Sequence, residues 1–346
     1  MPLRGHKILV TGASGFVGSF LVEHALSAGA EVWAAVRPTS SRRYLGDPRI
    51  RFVELDLGDE TRLRDSLTAH VAAEGPWTAC LHAAGVTKCR HEADFFRVNT
   101  EGTLLLARLL VQTGALTGRF VFISTLSVMG PARETPVGTG PHRYAPILPS
   151  DPPHPDTAYG RSKLLAEQGL AGIEGLDYIV LRPTGVYGPR DRDYFLMARS
   201  VTRHIDTAAG LRPQEITFVY VRDLARAALL AIGRGQHGAA YFLADGGVYD
   251  SRDFARLLQR ELGVRHVVRL RVPLWVLHAV CLAAGRLAAL TGRTSTLNAD
   301  KYNILKQRNW QCDTTAARRD LGWLPAYDLE RGVEETVRWY KQEKWL

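Results

Sequence analysis

The stretch Lys7 to Ser19, KILVTGASGFVGS, constrains the fold more than any other part of the chain. A short apolar strand runs into a glycine-rich turn and then into the opening of an apolar helix, the arrangement that holds a dinucleotide diphosphate against a helix start. Gly12 permits the tight turn, Gly15 lets the backbone approach phosphate, and Gly18 brings the following helix close to the sheet. The helix beginning near Phe16 presents the unpaired N–H groups of its first turn, those of Phe16 and Val17 among them, at the positive end of its dipole.

Further along, apolar runs of four to six residues alternate with amphipathic helices. Strands are expected at Glu31 to Val36, Arg51 to Asp56, Thr78 to Ala84, Arg119 to Ser124 and Asp177 to Arg182, and helices at Leu63 to Ala72, Asn99 to Thr113 and Thr157 to about Gly169. That alternation predicts an α/β fold, a Rossmann-type doubly wound parallel sheet with helices on both faces. Between Val128 and Asp156 the composition shifts to Pro, Gly, Ser and Thr, which reads as a long loop beside a ligand cleft. Ile216 to Tyr220 and Ala240 to Leu243 are expected to return to the sheet around a helix from Asp223 to Ile232. The remainder reads as mostly helical: Ser251 to Leu262, the apolar stretch Val272 to Leu290, and a closing helix from Leu329 to Lys344. The expected division is a dinucleotide-binding domain of residues 1–183 plus about 216–244, and a small, mostly helical substrate lobe of about 184–215 plus 245–346.

Composition excludes several classes of function. With 346 residues, 46% of them hydrophobic, the chain can bury one large core or two that share an interface. Its net charge of +9 comes mainly from scattered arginines, which favour anionic ligands or surfaces in general. No dense basic tract, RNA-binding signature or zinc-finger spacing accompanies them, so no nucleic-acid partner is expected. Cys80, Cys89, Cys281 and Cys312 lie far apart, which points to reduced thiols in a cytoplasmic protein and to no metal site. The first strand begins within a few residues of Met1, leaving no room for a signal peptide. The Val272 to Leu290 stretch, VPLWVLHAVCLAAGRLAAL, is interrupted by His278, Gly285 and Arg286 and barely reaches the ~20 residues that a bilayer requires. It reads as a buried or lid helix in preference to one lying on a membrane.

The chemistry-bearing pattern is AYGRSK, in which Tyr159 and Lys163 stand four apart on one helix face. A phenol has a reference pKa of about 10, and a neighbouring ammonium favours its ionised form, bringing it toward working range as a proton donor and acceptor. Upstream, FVFISTLSVMG ends an apolar strand in Ser124, Thr125 and Ser127, where a hydroxyl can meet a substrate oxygen beside the tyrosine.

Eight segments together, TGASGFVG, HAA (His82 to Ala84), VNTEGT (Val98 to Thr103), the hydroxyl strand, YGRSK, LRPTGVYGP (Leu181 to Pro189), FVYVRD (Phe218 to Asp223) and LGWLP (Leu321 to Pro325), resemble in order and spacing the extended short-chain dehydrogenase/reductases, the NAD(P)-dependent epimerase/dehydratase family. The resemblance covers nearly the whole chain. It implies Tyr159 as the proton-transferring residue, Lys163 as ribose ligand and tuner of the tyrosine, and Thr125 as the group that orients the substrate oxygen. It also implies that Asp56 and Leu57 lie along the adenine, Ala83 and Ala84 under the diphosphate, and Pro183 against the nicotinamide. On the substrate side it points to Val86, Thr125, Met129, Gly185 and Val186; Met129 stands where the family has a tyrosine and should make the pocket less polar. A homodimer through the helices Asn99 to Thr113 and Thr157 to Gly169 is the usual assembly of the family.

The second strand ends in Arg37, with Arg42 and Arg43 beyond, where NAD-preferring members carry an acidic residue. An arginine there can bind a 2'-phosphate, so NADP(H) is favoured over NAD(H), with Ser14 of the turn as a further ligand. Many sugar-nucleotide members carry an Asn before the Y-G-P turn and an Arg before the F-V-Y-V strand, both serving the substrate diphosphate; these positions are Gly185 and Ile216 here. The second lobe is instead similar to that of the dihydroflavonol reductase and 3β-hydroxysteroid dehydrogenase branch, and its apolar helix suits either a lipophilic substrate or plain core. The expectation is therefore an NADP(H)-dependent carbonyl reductase or alcohol dehydrogenase for a mostly apolar small molecule. A nucleotide-sugar epimerase or dehydratase with a retained cofactor is the alternative, with Arg190 or Arg192 taking over the diphosphate. A non-catalytic dinucleotide sensor is the third reading, and the intact Tyr159, Lys163 and hydroxyl strand argue against it.

Overall fold

The computed structural model of the chain describes residues 2–138, 143–291 and 299–346. Residues 139–142 of the Pro-rich loop and 292–298 of the expected substrate lobe lie outside the described residues, as do the side chains of 287–291 in the apolar stretch. Strands run in the order β1 (Lys7–Thr11), β2 (Glu31–Val36), β3 (Arg51–Glu54), β4 (Trp77–His82), β5 (Leu116–Ile123), β6 (Tyr178–Pro183), β7 (Gly185–Tyr187), β8 (Ile205–Ala209), β9 (Glu215–Ile216), β10 (Phe218–Tyr220), β11 (Ala240–Leu243), β12 (Tyr249–Asp250) and β13 (Val268–Val272). The helices are α1 (Phe16–Ser27), α2 (Glu60–Glu74), α3 (Glu92–Phe95), α4 (Gly102–Gln112), α5 (Ala158–Leu170), α6 (Asp193–Thr202), α7 (Val221–Gly233), α8 (Asp253–Leu262), α9 (Leu274–Thr291), α10 (Ala299–Lys306), α11 (Thr315–Leu321) and α12 (Leu329–Gln342).

Seven parallel strands form the central sheet in the order β11-β6-β5-β4-β1-β2-β3. β1 sits inside it, with Leu9 registered against Trp33 of β2 and Cys80 of β4, so a run apolar on both faces suits the position. Leu21 of α1, Leu224 and Ala228 of α7 and Leu321 of α11 cover one face. Leu63 and Leu67 of α2, Leu106 and Leu110 of α4 and Leu170 of α5 cover the other. Local chemistry sets where these helices begin: Asp59, Thr157 and Asp328 each accept a first-turn N–H with their own side chain, capping α2, α5 and α12. Because the chain winds outward in opposite directions from β1 and β4, the loops after these strands diverge, and a crevice opens at their C-terminal ends.

The C-terminal region is largely helical and has an aromatic core of its own, with Tyr187, Phe218, Tyr220, Phe254 and Tyr340 at its centre. Two expectations need correction here. Ile216 to Tyr220 does not rejoin the central sheet, because β5 and β11 already occupy both edges of β6. Its residues pair instead as β10 with β7, and as β9 with β12. The apolar stretch does form a helix, α9, but not a buried one: Trp275 is 75% exposed, and Val280 and Leu282 are exposed with it. Among the described residues no helix is long and apolar enough to cross a membrane.

Candidate active site

The glycine turn lies directly against the segment that follows β4. Gly12 has φ of +65°, and a Cβ there would fall 2.6 Å from the Ala83 carbonyl oxygen and 2.7 Å from the Ala84 nitrogen. A Cβ on Gly18 would collide with the Gly12 carbonyl, so both positions must be glycine for the helix, the turn and the Ala83–Ala84 strand end to close together. α1 starts at Gly15 without any side-chain cap, leaving the first-turn N–H groups of Phe16 and Val17 for an outside anion, and Ser14 sits partly exposed on the same turn. An uncapped helix start in a cradle that no side chain can enter fits the diphosphate of a nicotinamide dinucleotide.

Arg37 follows β2 directly and is exposed. Arg42 stacks on Phe52 at 4.2 Å and Arg43 pairs with Glu343 at 3.1 Å, whereas the Arg37 guanidinium has no ion pair among the described residues. Asp56, just beyond β3, accepts the Gly58 N–H at 3.0 Å, and Leu57 lies against Gly102. Pro183 closes β6 and is buried.

At the end of β5 the three hydroxyl residues separate by direction. Ser124 points to the Glu167 carboxylate, which is itself paired with the buried Arg182 (2.5 Å). Ser127 contributes its backbone N–H, 3.1 Å from Thr125 Oγ1. The Thr125 hydroxyl lies beside the Tyr159 phenol. Burial pushes that phenol up to about 12, and Thr125 opposes the rise. Lys163 is buried one helical turn further on, with Nζ 3.0 Å from the Ile123 carbonyl oxygen and 4.6 Å above the Phe122 ring. Burial pushes the ammonium down to about 8, against the pull of Glu167.

A buried network that the sequence did not announce fixes this pair. Phe96–Glu101 forms a widened, π-type turn at the head of α4, and it carries Asn99 inward. Asn99 Oδ1 accepts the Val86 N–H (2.8 Å), while Nδ2 donates to the Val86 carbonyl and to Ser162 Oγ (3.0 Å each). Ser162 Oγ donates in turn to the Tyr159 carbonyl at 2.8 Å. The Thr103 hydroxyl donates to the Asn99 carbonyl (2.8 Å), so it must accept from His82 Nε2 (2.9 Å); His82 Nδ1 then accepts from the Thr11 hydroxyl (2.7 Å). Burial, with the Lys163 charge nearby, pushes the His82 imidazole down to about 3, so it stays neutral in that single tautomer. His82 and Asn99 both belong to segments that carry the family resemblance; their polarity at the end of an apolar strand and at a helix start was the available signal. At the first turn of the tyrosine helix, Asp300 of α10 accepts the N–H groups of Ala158 (3.1 Å) and Tyr159 (3.2 Å).

On the substrate side, Val86 and Val186 are partly buried at the crevice. Met129 is not part of its wall: it is wholly buried, its sulfur taking a hydrogen bond from Arg182 at 3.5 Å, so it serves packing. Gly185 is overlaid by the Tyr194 hydroxyl, which occupies the space that a side chain at this position would need. Arg190 turns away from the crevice, bonding Ser19 (2.9 Å) and Glu23 of α1 and stacking at 4.5 Å on both Phe20 and Tyr44. Arg192 is exposed at the start of α6.

Glycine turn and doubly wound sheet together define an NAD(P)-dependent enzyme of the extended short-chain dehydrogenase/reductase type. The model of the NAD dependent epimerase/dehydratase family matches residues 8–244, and the chain belongs to that family. It is 26% identical to a dTDP-glucose 4,6-dehydratase of an Actinoplanes species, covering 98% of both chains. It is 28% identical to a 3-beta-hydroxysteroid dehydrogenase of Mycolicibacterium neoaurum, over 96% of this chain and 91% of that one. Its fold matches a UDP-glucose 4-epimerase of Thermotoga maritima, solved with UDP-glucose, with a TM-score of 0.74 at 23% identity over 98% of this chain and 99% of the other.

Proposed function

We propose that the protein is a cytoplasmic NADP(H)-dependent carbonyl reductase or alcohol dehydrogenase acting on a mostly apolar small molecule. The observation that carries this reading is the Gly185 site. The position from which an amide would bind a substrate diphosphate has no side chain, its space is taken by Tyr194, Ile216 is apolar, and Arg190 is committed to α1. Each missing charge-assisted bond costs a diphosphate about 1.5–3 kcal/mol, whereas an apolar ligand loses nothing by their absence. The exposed Arg37 favours a cofactor with a 2'-phosphate.

A nicotinamide cofactor, when bound, would supply hydride-transfer chemistry. The turn from Gly12 to Gly18 would hold its diphosphate, with Ala83 and Ala84 beside it, and Lys163 would hold the ribose. Thr125 fixes the substrate oxygen beside Tyr159. A phenol held up to about 12 is protonated at neutral pH, so Tyr159 is ready to deliver its proton to a carbonyl oxygen. The oxidising direction needs its deprotonated form, which the Lys163 ammonium stabilises. The test is net consumption of NADPH with a panel of lipophilic ketones. Turnover of dTDP- or UDP-glucose without net nicotinamide consumption would overturn the reading.

A second reading, a nucleotide-sugar epimerase or dehydratase with a retained cofactor, draws on the dTDP-glucose 4,6-dehydratase relative and on the exposed Arg192 as a diphosphate ligand. In either case a homodimer through α4 and α5 is proposed; Leu165 of α5 is exposed for such a contact.

A further inference from the structure

We propose that the face made by β13, the loop 210–212 and the first half of α9 docks onto the surface of an anionic lipid bilayer. The outward side of α9 is the first observation. Among residues 274–286 the exposed Trp275, His278, Ala279, Leu282, Ala283 and Arg286 fall at i, i+3, i+4, i+7, i+8 and i+11, a single stripe that is apolar but for His278 and Arg286, with Val280 exposed at its flank. A helix on the surface of a soluble protein turns its polar side outward; this one exposes apolar side chains there.

The same inversion continues into the neighbouring strands. Val268, Leu270 and Val272 alternate along β13 and therefore share a face, and their registered partners on β8 are Ile205, Thr207 and Ala209. Val268 is 61% exposed, and Leu270 and Ile205 are exposed with it. Pro273 joins this strand directly to α9. Leu211, 67% exposed, stands beside the junction, its carbonyl held by the Arg271 guanidinium at 3.1 Å. A recess of about 320 Å³ opens there, with Leu211, Leu274 and Trp275 on its walls and Arg212, Lys306 and Arg308 around it. Leu211, Leu274 and Trp275 thus share one recess where the strand meets the helix.

Charge selects the occupant. Segments 203–214 and 265–286 contain six arginines, Arg203, Arg212, Arg265, Arg269, Arg271 and Arg286, against one acid, Asp206. Asp206 is buried, and Arg212 and Arg286 have no ion pair among the described residues. Apolar side chains beside an exposed tryptophan, with Arg212, Lys306 and Arg308 around the recess and Arg286 at the end of the helix stripe, match an interface of acyl chains beneath anionic headgroups. A second copy of the chain would bring the same six arginines against these six, which disfavours self-association. α9 thus lies in the interface plane; it does not span. The inference does not depend on which reaction the crevice performs, although a lipophilic substrate would be met at the same surface.

The experiment is co-sedimentation of the full chain with vesicles of phosphatidylcholine alone and of phosphatidylcholine rich in phosphatidylglycerol, at low and high salt. The expected result is binding to the anionic vesicles, weaker by roughly tenfold or more on neutral ones and reduced by salt. Trp275→Glu should lower the partition coefficient by roughly tenfold, and Arg212→Glu with Arg286→Glu should remove the preference for anionic lipid. Both variants must retain the wild-type circular dichroism spectrum and NADPH affinity, which separates loss of docking from loss of fold. The proposal is overturned if no vesicle retains the protein, if Trp275→Glu binds as wild type does, or if sedimentation equilibrium shows a dimer that this substitution dissociates while vesicles bind nothing.

Discussion

The crevice around Tyr159 and the face around Trp275 break the ordinary inside-out rule in opposite ways. In the crevice, polar groups are buried: Thr11, His82, Asn99, Thr103 and Ser162 are all at most 1% exposed, and every one has its hydrogen-bond partners. At the α9 face, apolar side chains such as Trp275, Leu211 and Val268 meet water. A buried network that is complete within the chain holds something still; an exposed apolar surface is complete only when something covers it. The same contrast separates the two halves of the crevice, since the network behind Tyr159 is closed while Arg37 and the start of α1 are left open to an anion.

The largest effect should come from the group that the closed network serves. Tyr159→Phe should lower kcat by about 10²–10⁴-fold and leave NADPH affinity within about twofold of wild type, measured by steady-state kinetics and nucleotide fluorescence. Robust turnover in this variant would remove Tyr159 from its role.

Opening the network should cost stability as well as rate. Asn99→Ala leaves the Val86 N–H and carbonyl and the Ser162 hydroxyl without their partner, a loss of about 2–4 kcal/mol in urea unfolding. If the variant unfolds at the wild-type midpoint, the network is ornamental to the fold.

On the open side of the crevice, Arg37→Ala should weaken NADPH by about 10- to 100-fold and leave NADH nearly unchanged. Equal losses for the two nucleotides would deny Arg37 a 2'-phosphate.

The smallest effect concerns pH. Lys163 is held down to about 8, so its ammonium is present below that value and lost as pH rises through it. The kcat of reduction should therefore fall by about tenfold between pH 7 and 9, and Lys163→Arg, which keeps its charge, should show no bend in that range. A flat wild-type profile would mean that the charge on Lys163 does not govern the step.

What the sequence made legible was the short-range part. The glycine turn, the Tyr159–Lys163 spacing and the strand ending in Thr125 each sit inside one strand–turn–helix unit, so local spacing suffices to read them. Asn99 escaped notice because its orientation comes from a widened turn, and its partners Val86 and Ser162 lie 13 and 63 residues away. Met129 and Arg190 show the same limit. Arg182 bonds the Met129 sulfur inside the protein, and Ser19 and Glu23 of α1 hold Arg190. The exposure of α9 is the plainest case: an apolar composition states that a helix wants cover, and only the packing of the rest of the chain decides whether the protein itself provides it.

The most direct test of the central claim, an exchanging NADP(H) reductase, is the nucleotide content of protein purified without added cofactor, released by denaturation and identified by chromatography. The account predicts protein nearly free of nucleotide that then binds NADPH more tightly than NADH. Near-stoichiometric NAD carried through purification would contradict it and establish a cofactor retained for turnover within the site.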